Sequence, residues 1–581
     1  MRGGHAITRA LFVAAAACMA AIACGSREPA GSNDPAFRAV AKDAIADFMR
    51  RNPSAATYLG VHTYDGQIDD MSQAGIAAQS KAYADFRAKA AEIDPSTLSI
   101  DAQLDREQLI HALEAAILAN DAIKPWVKNP DLYSSVVTNA AYVIMKTPYA
   151  PAADRLKSLI EREGRMPAVL QQARANLSNP PEIYTQIALE QIDGNVSFFK
   201  NDLPLAFADV TDAQLKTAFE KSNADVIAAL GEYKTFLEQT LKPASKGSYA
   251  YGVDLYRKAL AANEMVDLPL DRLLDIAERD RQKNEAAFQE TAKKIDPSKP
   301  AEQVLADLQN EHPAPSKLLQ TTQDMLDSLR QFIEAHHIIT IPPGSDPAQV
   351  KETPPFMRAT TSASMDTPGP FETAKLPGRY NMTLPDPSMP PDKQEAFMHQ
   401  WYPAAISNVS VHEVYPGHYV QFLYAKQFPS DVRKVFTANT NAEGWAHYCE
   451  QMMLDEGFHS DDPRYRLAQL QDALLRDVRF IAGIKMHTQG MAWQDAAKLF
   501  ETQGHQPGPV AESEAKRGTS DALYGYYTMG KLMILKLRDD YKAKQGSSYS
   551  QEAFHDAFIK LGPLPLPLVR RAMLGATGEL F

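Results

Sequence analysis

The stretch His412-Glu413-Val414-Tyr415-Pro416-Gly417-His418 decides how the rest of this chain is read. Two imidazoles and a carboxylate can hold a zinc ion and leave its fourth position open. In the usual zinc helix the histidines stand four residues apart, as His-Glu-x-x-His, and so share one face. Here they stand six apart. At about 100° per residue, an undistorted helix would point them roughly 120° away from each other. Pro416 has no N–H for the carbonyl of His412, and its ring clashes with that carbonyl. Gly417 tolerates the unusual backbone angles that follow. The segment therefore predicts a kinked or bulged helix that absorbs two residues and returns His418 to the face of His412.

Three groups on one helix cannot surround an ion, so the third ligand must come from elsewhere. The block Asn441-Ala442-Glu443-Gly444-Trp445-Ala446 begins shortly after His418, within a predicted helix over 441–457. Glu443, His447 and Glu450 lie on one stripe of that helix, and any of them could reach the metal. The remaining members would orient His412 or His418 through their free ring nitrogens. Two imidazoles and one carboxylate match a catalytic zinc set, and zinc lowers the pKa of a bound water toward about 7. Glu413, beside His412, is placed to accept that proton and pass it to a leaving amine. Iron(II) uses a similar triad but needs no carboxylate base next to a ligand histidine. Zinc is favoured, with manganese and cobalt still open.

The blocks His-Glu-Val-Tyr-Pro-Gly-His and Glu-Gly-Trp-Ala resemble the motifs of a bacterial family known as domain of unknown function 885. That family is grouped by similarity with zincin-type, gluzincin-like metallopeptidases. The resemblance runs from about residue 40 to residue 575. It implies a mostly α, large helical zincin-like fold with a small β element beside the metal helix, and a deep cleft. It also implies His412, His418 and Glu443 as ligands, with Glu413 as general base. In the family a tyrosine stands three residues before a glycine, and Tyr527 matches it here. Its phenol could donate to a developing oxyanion, although Asp521 and Ala522 depart from the family pattern and leave Tyr526 as an alternative. Arg517 and Arg538 are candidates for binding a substrate carboxylate.

The N-terminus reads as an export signal. Arg2 and Arg9 precede an apolar run, Leu11 to Ala23, which is too short to span a bilayer. The sequence Ala21-Ile22-Ala23-Cys24-Gly25-Ser26 resembles a lipoprotein cleavage box, which would make Cys24 the lipidated N-terminus. An ordinary cleaved signal peptide is the alternative. Either way the chain is exported, and as a lipoprotein it would face the periplasm or sit on the outer membrane. Loss of Arg2 and Arg9 takes the net charge from −12 to about −14. Such a balance argues against nucleic acid as a partner and leaves the lipid as the sole tie to the membrane. Three cysteines, of which Cys449 alone would stay unmodified, exclude a disulfide framework.

The chain divides into a signal peptide (1–24), a polar tether (25–36), a helical region (37–341) and a C-terminal region (342–581) that continues the same fold. Residues Ile341 to Pro391 hold 12 of the 39 prolines and cannot be regular helix. Within them Phe356 to Ser362 and Arg379 to Leu384 are candidate short strands. The resemblance implies that one of them binds substrate backbone at its edge; a proline-rich connector is the alternative. There is no Gly-x-Ser-x-Gly, Walker loop or dinucleotide fingerprint. The expectation is a zinc-dependent peptidase that hydrolyses short peptides at the cell envelope. A zinc amidase acting on a non-peptide or cell-wall bond, and a non-catalytic peptide-binding lipoprotein, are the rival readings.

Overall fold

The computed structural model describes residues 31–353, 361–576 and 578–581, and Cys24 lies outside them. The chain is mostly helical, with one three-stranded sheet. Short polar residues start several helices. Ser72 Oγ accepts from the N–H of Gly75, Ser99 Oγ from that of Ala102, and Asp212 from those of Gln214 and Leu215. The first helix is Asp34–Arg51, so it begins inside the span read as tether. Among the described residues no helix is long and apolar enough to cross a membrane.

Leu104, Leu109 and Leu113 of the helix Ile100–Leu118 are buried, as their spacing predicts. Two helical layers form in the N-terminal half. One packs around Phe37, Tyr83 and Leu109, the other around Tyr133, Phe199 and Tyr233. The largest core is shared between the halves, because Leu273 and Leu329 pack in one cluster with Tyr380, Trp445 and Phe558.

The sheet lies in the proline-rich region. Strands β1 (Gln349–Glu352), β2 (Ala363–Asp366) and β3 (Arg379–Met382) run in the order β1-β3-β2. The central strand pairs parallel with β1, Val350 against Tyr380, and antiparallel with β2, Met365 against Tyr380. The strand expected at Arg379 to Leu384 is thus present as β3, two residues shorter. The one expected at Phe356 to Ser362 lies mostly outside the described residues. Residues 354–360 lie outside the described part, Thr361 and Ser362 are not strand, and the pairing falls on Ala363–Asp366. β1 was not expected, since its flanking prolines read as loop and its pairing is non-local.

Two long-helix contacts organise the C-terminal half. The helix Pro463–Thr488 lies on Leu270–Ile295, and Asn439–Asp455 lies on Tyr526–Gln545. At the second contact two glycines meet. A Cβ on Gly530 would stand 2.0 Å from the carbonyl oxygen of Thr440 and 2.7 Å from Gly444 Cα. The start of Asn439–Asp455 is fixed by a buried acid: Glu264 accepts from the N–H groups of Asn439 (3.1 Å) and Thr440 (3.0 Å). Trp445 is fully buried and stacks on Phe558 at 5.1 Å.

Replacing Gly530 by alanine should therefore force the two helices apart, at a cost of about 1–3 kcal/mol. Urea unfolding would read this as a lower midpoint for Gly530→Ala, and an unchanged midpoint would mean the backbones have room to separate.

Candidate metal centre

The helix Pro403–Glu413 ends directly after His412, and a new helix, His418–Ala425, begins at the second histidine. The expected bulge within a single helix is therefore corrected to a break between two helices. Ser410 O accepts from the N–H groups of Val414 (2.9 Å) and Tyr415 (3.1 Å), and Val411 O accepts from that of Gly417 (3.0 Å). The chain thus folds back onto the last turn of the helix it has left. Gly417 makes this possible, since a Cβ there would sit 1.8 Å from the carbonyl oxygen of His412. Trp445 Nε1–H donates to Pro416 O at 3.0 Å and ties the turn to the helix Asn439–Asp455.

The turn brings the two imidazoles edge to face, with ring centroids 4.9 Å apart. Glu443 Oε2 lies 3.4 Å from His412 Nε2 and 3.3 Å from His418 Nε2. Neither contact has hydrogen-bond geometry, and Glu443 Oε2 is buried with no donor. The far nitrogens are both occupied. His412 Nδ1–H donates to Glu450 Oε1 at 2.6 Å, and His418 Nδ1–H donates to Gln421 Oε1 at 3.0 Å. With the protons held on Nδ1, both Nε2 lone pairs and a carboxylate oxygen converge on one point. Three acceptors facing one another without a donor is costly unless a cation stands between them. His412, His418 and Glu443 offer ligand atoms all within 4.8 Å of one another, so the residues fit a zinc ion.

The charges agree. Burial alone would lower the pKa of His412, but Glu443 and Glu450 outweigh it and raise it to about 10. Burial likewise opposes protonation of His418, and Glu443 reverses it. Burial also resists ionisation of Glu443, yet the imidazoles of His418 and His412 hold its carboxyl well below the usual range. Without a metal, then, the cluster draws protons to the place a cation would fill.

Behind this point Glu450 gathers several partners. Its carboxylate meets His412, Arg476 Nη2 at 2.9 Å and Asn408 Nδ2 at 3.3 Å. Burial disfavours its charge, but the Arg476 guanidinium holds it ionised. His447 Nδ1 lies 3.2 Å from Glu450 Oε2 and reaches the candidate ligands only through that carboxylate. The expectation that His447 might touch His412 or His418 directly is corrected accordingly. Burial pushes His447 down to about 3, so it stays neutral. Arg476, Asn408 and Gln421 were not foreseen. Arg476 stands 64 positions from His412, beyond any local pattern.

Glu413 and Tyr527 line the same cavity as His412, His418 and Glu443. The cavity holds about 640 Å3 and is walled on the other side by Phe48, Tyr58 and Leu59 from the first helices. Ala363, Ser364 and Met365 of the edge strand β2 form part of its rim. Tyr527 lies over His412 with centroids 6.3 Å apart, and Arg517 Nη2 donates to its hydroxyl at 3.5 Å. Arg479, 5.0 Å from the Tyr527 ring, is locked by a two-pronged bond to Glu514, 2.7 Å on each prong. Tyr526 instead donates to Asp521 Oδ2 at 3.1 Å and is not among the residues lining the cavity. Arg538 packs over Tyr448 at 5.7 Å, away from the cavity, so its expected role toward a substrate carboxylate is withdrawn.

Fold and cavity together define a large, mostly helical chain with a His-Glu cluster at one cavity. The chain belongs to the family described as bacterial protein of unknown function (DUF885), which matches it over residues 53–573. Two solved structures share the fold. A "putative lipoprotein of unknown function" from Shewanella oneidensis is 25% identical with a TM-score of 0.78, covering 93% of this chain and 99% of its own. A "putative lipoprotein" from Colwellia psychrerythraea is 16% identical with a TM-score of 0.79, covering 93% and 99%. No curated protein matches the chain.

Because Glu450 orients His412, Glu450→Gln should weaken zinc binding by about 10–100-fold. Competition against a chromophoric chelator measures it; an affinity equal to wild type would mean that Glu450 does not act through His412.

Proposed function

We propose that the chain is a zinc-dependent peptidase of the cell envelope, related to the zincins and acting on short peptides. The observation that carries this reading is the convergence of His412 Nε2, His418 Nε2 and Glu443 Oε2 with no donor between them. A zinc ion held by His412, His418 and Glu443 would supply Lewis acidity toward a carbonyl oxygen and a water.

The remaining steps belong to the chain itself. Glu413 faces the cavity directly after His412 and takes the proton of the attacking water at its carboxylate. It then delivers that proton to the departing nitrogen. Tyr527 O–H donates to the oxyanion, and Arg517 fixes the phenol from behind. The edge strand β2 offers unpaired backbone groups to an extended peptide. Walls of Phe48, Phe422 and Phe558 exclude water from the reacting groups and confine the substrate to a short chain. The envelope location rests on the export signal with Cys24 and on the descriptions of the two similar structures as lipoproteins.

The test combines metal content with turnover. The purified chain should carry zinc by mass spectrometry and cleave members of a mixed peptide library. Glu413→Gln should keep the zinc and lose about 10²–10⁴-fold in kcat/KM. Zinc with no cleavage of any peptide, or a Glu413→Gln variant as active as wild type, would overturn the reading. Tyr527→Phe should lower kcat by about 10²–10³-fold with metal content unchanged, and an unaltered kcat would remove Tyr527 from the oxyanion role.

A further inference from the structure

We infer that the chain holds a second divalent-metal site, built from His312, Glu395 and His399 and sharing no residue with the first. His312 lies in the proline-flanked loop Glu311-His312-Pro313-Ala314-Pro315. Glu395 belongs to the helix Pro391–Met398 and His399 to the 3-10 turn that continues it, so the two stand four residues apart on one face. Each residue presents a ligand atom, and these atoms all lie within 4.8 Å of one another.

The argument turns on the His312 ring. Its Nδ1–H donates to Pro313 O at 3.1 Å, which leaves the lone pair on Nε2. That Nε2 lies 3.0 Å from Glu395 Oε1, within hydrogen-bond reach, so on the neutral ring a divalent ion would take the place of the proton shared with the carboxylate. The imidazole of His399 lies beside them, its centroid 5.7 Å from that of His312. The His312 side chain is only 7% exposed, so its ring is held in place by packing, while Glu395 at 64% opens to solvent. Two imidazoles, one carboxylate and water suit zinc or a neighbouring borderline ion such as nickel or copper.

Glu311, beside His312, is held by Arg464 Nη1 at 3.2 Å, so the site staples and does not react. It joins the loop before the helix Leu318–Ala335 to the short helix that leads into Pro403–Glu413, closing a separation of 83 positions.

The test uses zinc alone on the full chain, with bound metal counted after equilibration against a chelator. Wild type should saturate at about two zinc ions per chain. His312→Gln with His399→Gln should lose one of them, and His412→Gln with His418→Gln should lose the other. The second pair of variants keeps this inference separate from the proposed function, since its remaining ion reports the His312 site alone. Glu395→Gln, on an exposed side chain, leaves the core untouched and should weaken that ion by more than about tenfold. A chain with His412→Gln and His418→Gln that retains no zinc, or a Glu395→Gln chain that binds as wild type, would overturn the assignment.

Discussion

The contact between Gly444 and Gly530 fixes the geometry on which the cavity depends. A Cβ on Gly444 would fall 2.5 Å from Gly530 Cα, so the two helices touch backbone to backbone. Glu443 immediately precedes the first glycine, and Tyr527 stands one turn before the second. Close approach of the axes therefore brings a carboxylate and a phenol into one cavity from different helices. The next residue, Trp445, reaches across to Pro416 O and holds the turn that presents His418. The glycines thus act through their backbones and the tryptophan through its indole N–H, and the side chains at the cavity inherit their positions from them.

The electrostatics divide two buried carboxylates of the same helix by their partners. Glu450 is matched by Arg476 and by the imidazole N–H of His412. Glu443 Oε2 has imidazole nitrogens beside it and no donor. Removing one partner of a buried charge usually costs several kcal/mol. The contrast therefore marks Glu443 as the carboxylate left without a donor and Glu450 as the one already satisfied. The arginines around Tyr527 extend the pattern, because Arg479 is neutralised by Glu514 while Arg517 is shared between Asp521 and two phenols.

Much of this was legible in the residues. The Pro416-Gly417 pair announced a disturbance between the histidines, and the Glu443 block announced a second helix. The form of the disturbance was not legible. A bulge and a full break both satisfy the missing N–H of Pro416, and the fold-back onto Val411 O and the clamp from Trp445 accompany the break. The helix read over 441–457 spans Asn439–Asp455, because Glu264, distant in sequence, caps its start. β1 escaped notice for the same reason, since its four residues gain strand character only by pairing with β3. Local periodicity reports what one segment buries; Arg476 and His312 matter through what other segments bring to them.

The division of the cavity between two parts of the chain has an evolutionary consequence. Its polar floor comes from residues between His412 and Tyr527, whereas Phe48, Ala55, Tyr58 and Leu59 of the opposite wall come from the first two helices. Those wall residues touch none of the hydrogen bonds that orient His412 and His418. Drift in the N-terminal helices can therefore alter the size and shape of what enters without disturbing the floor. A lineage of such chains can reshape the cavity wall while keeping the His412, His418 and Glu443 cluster.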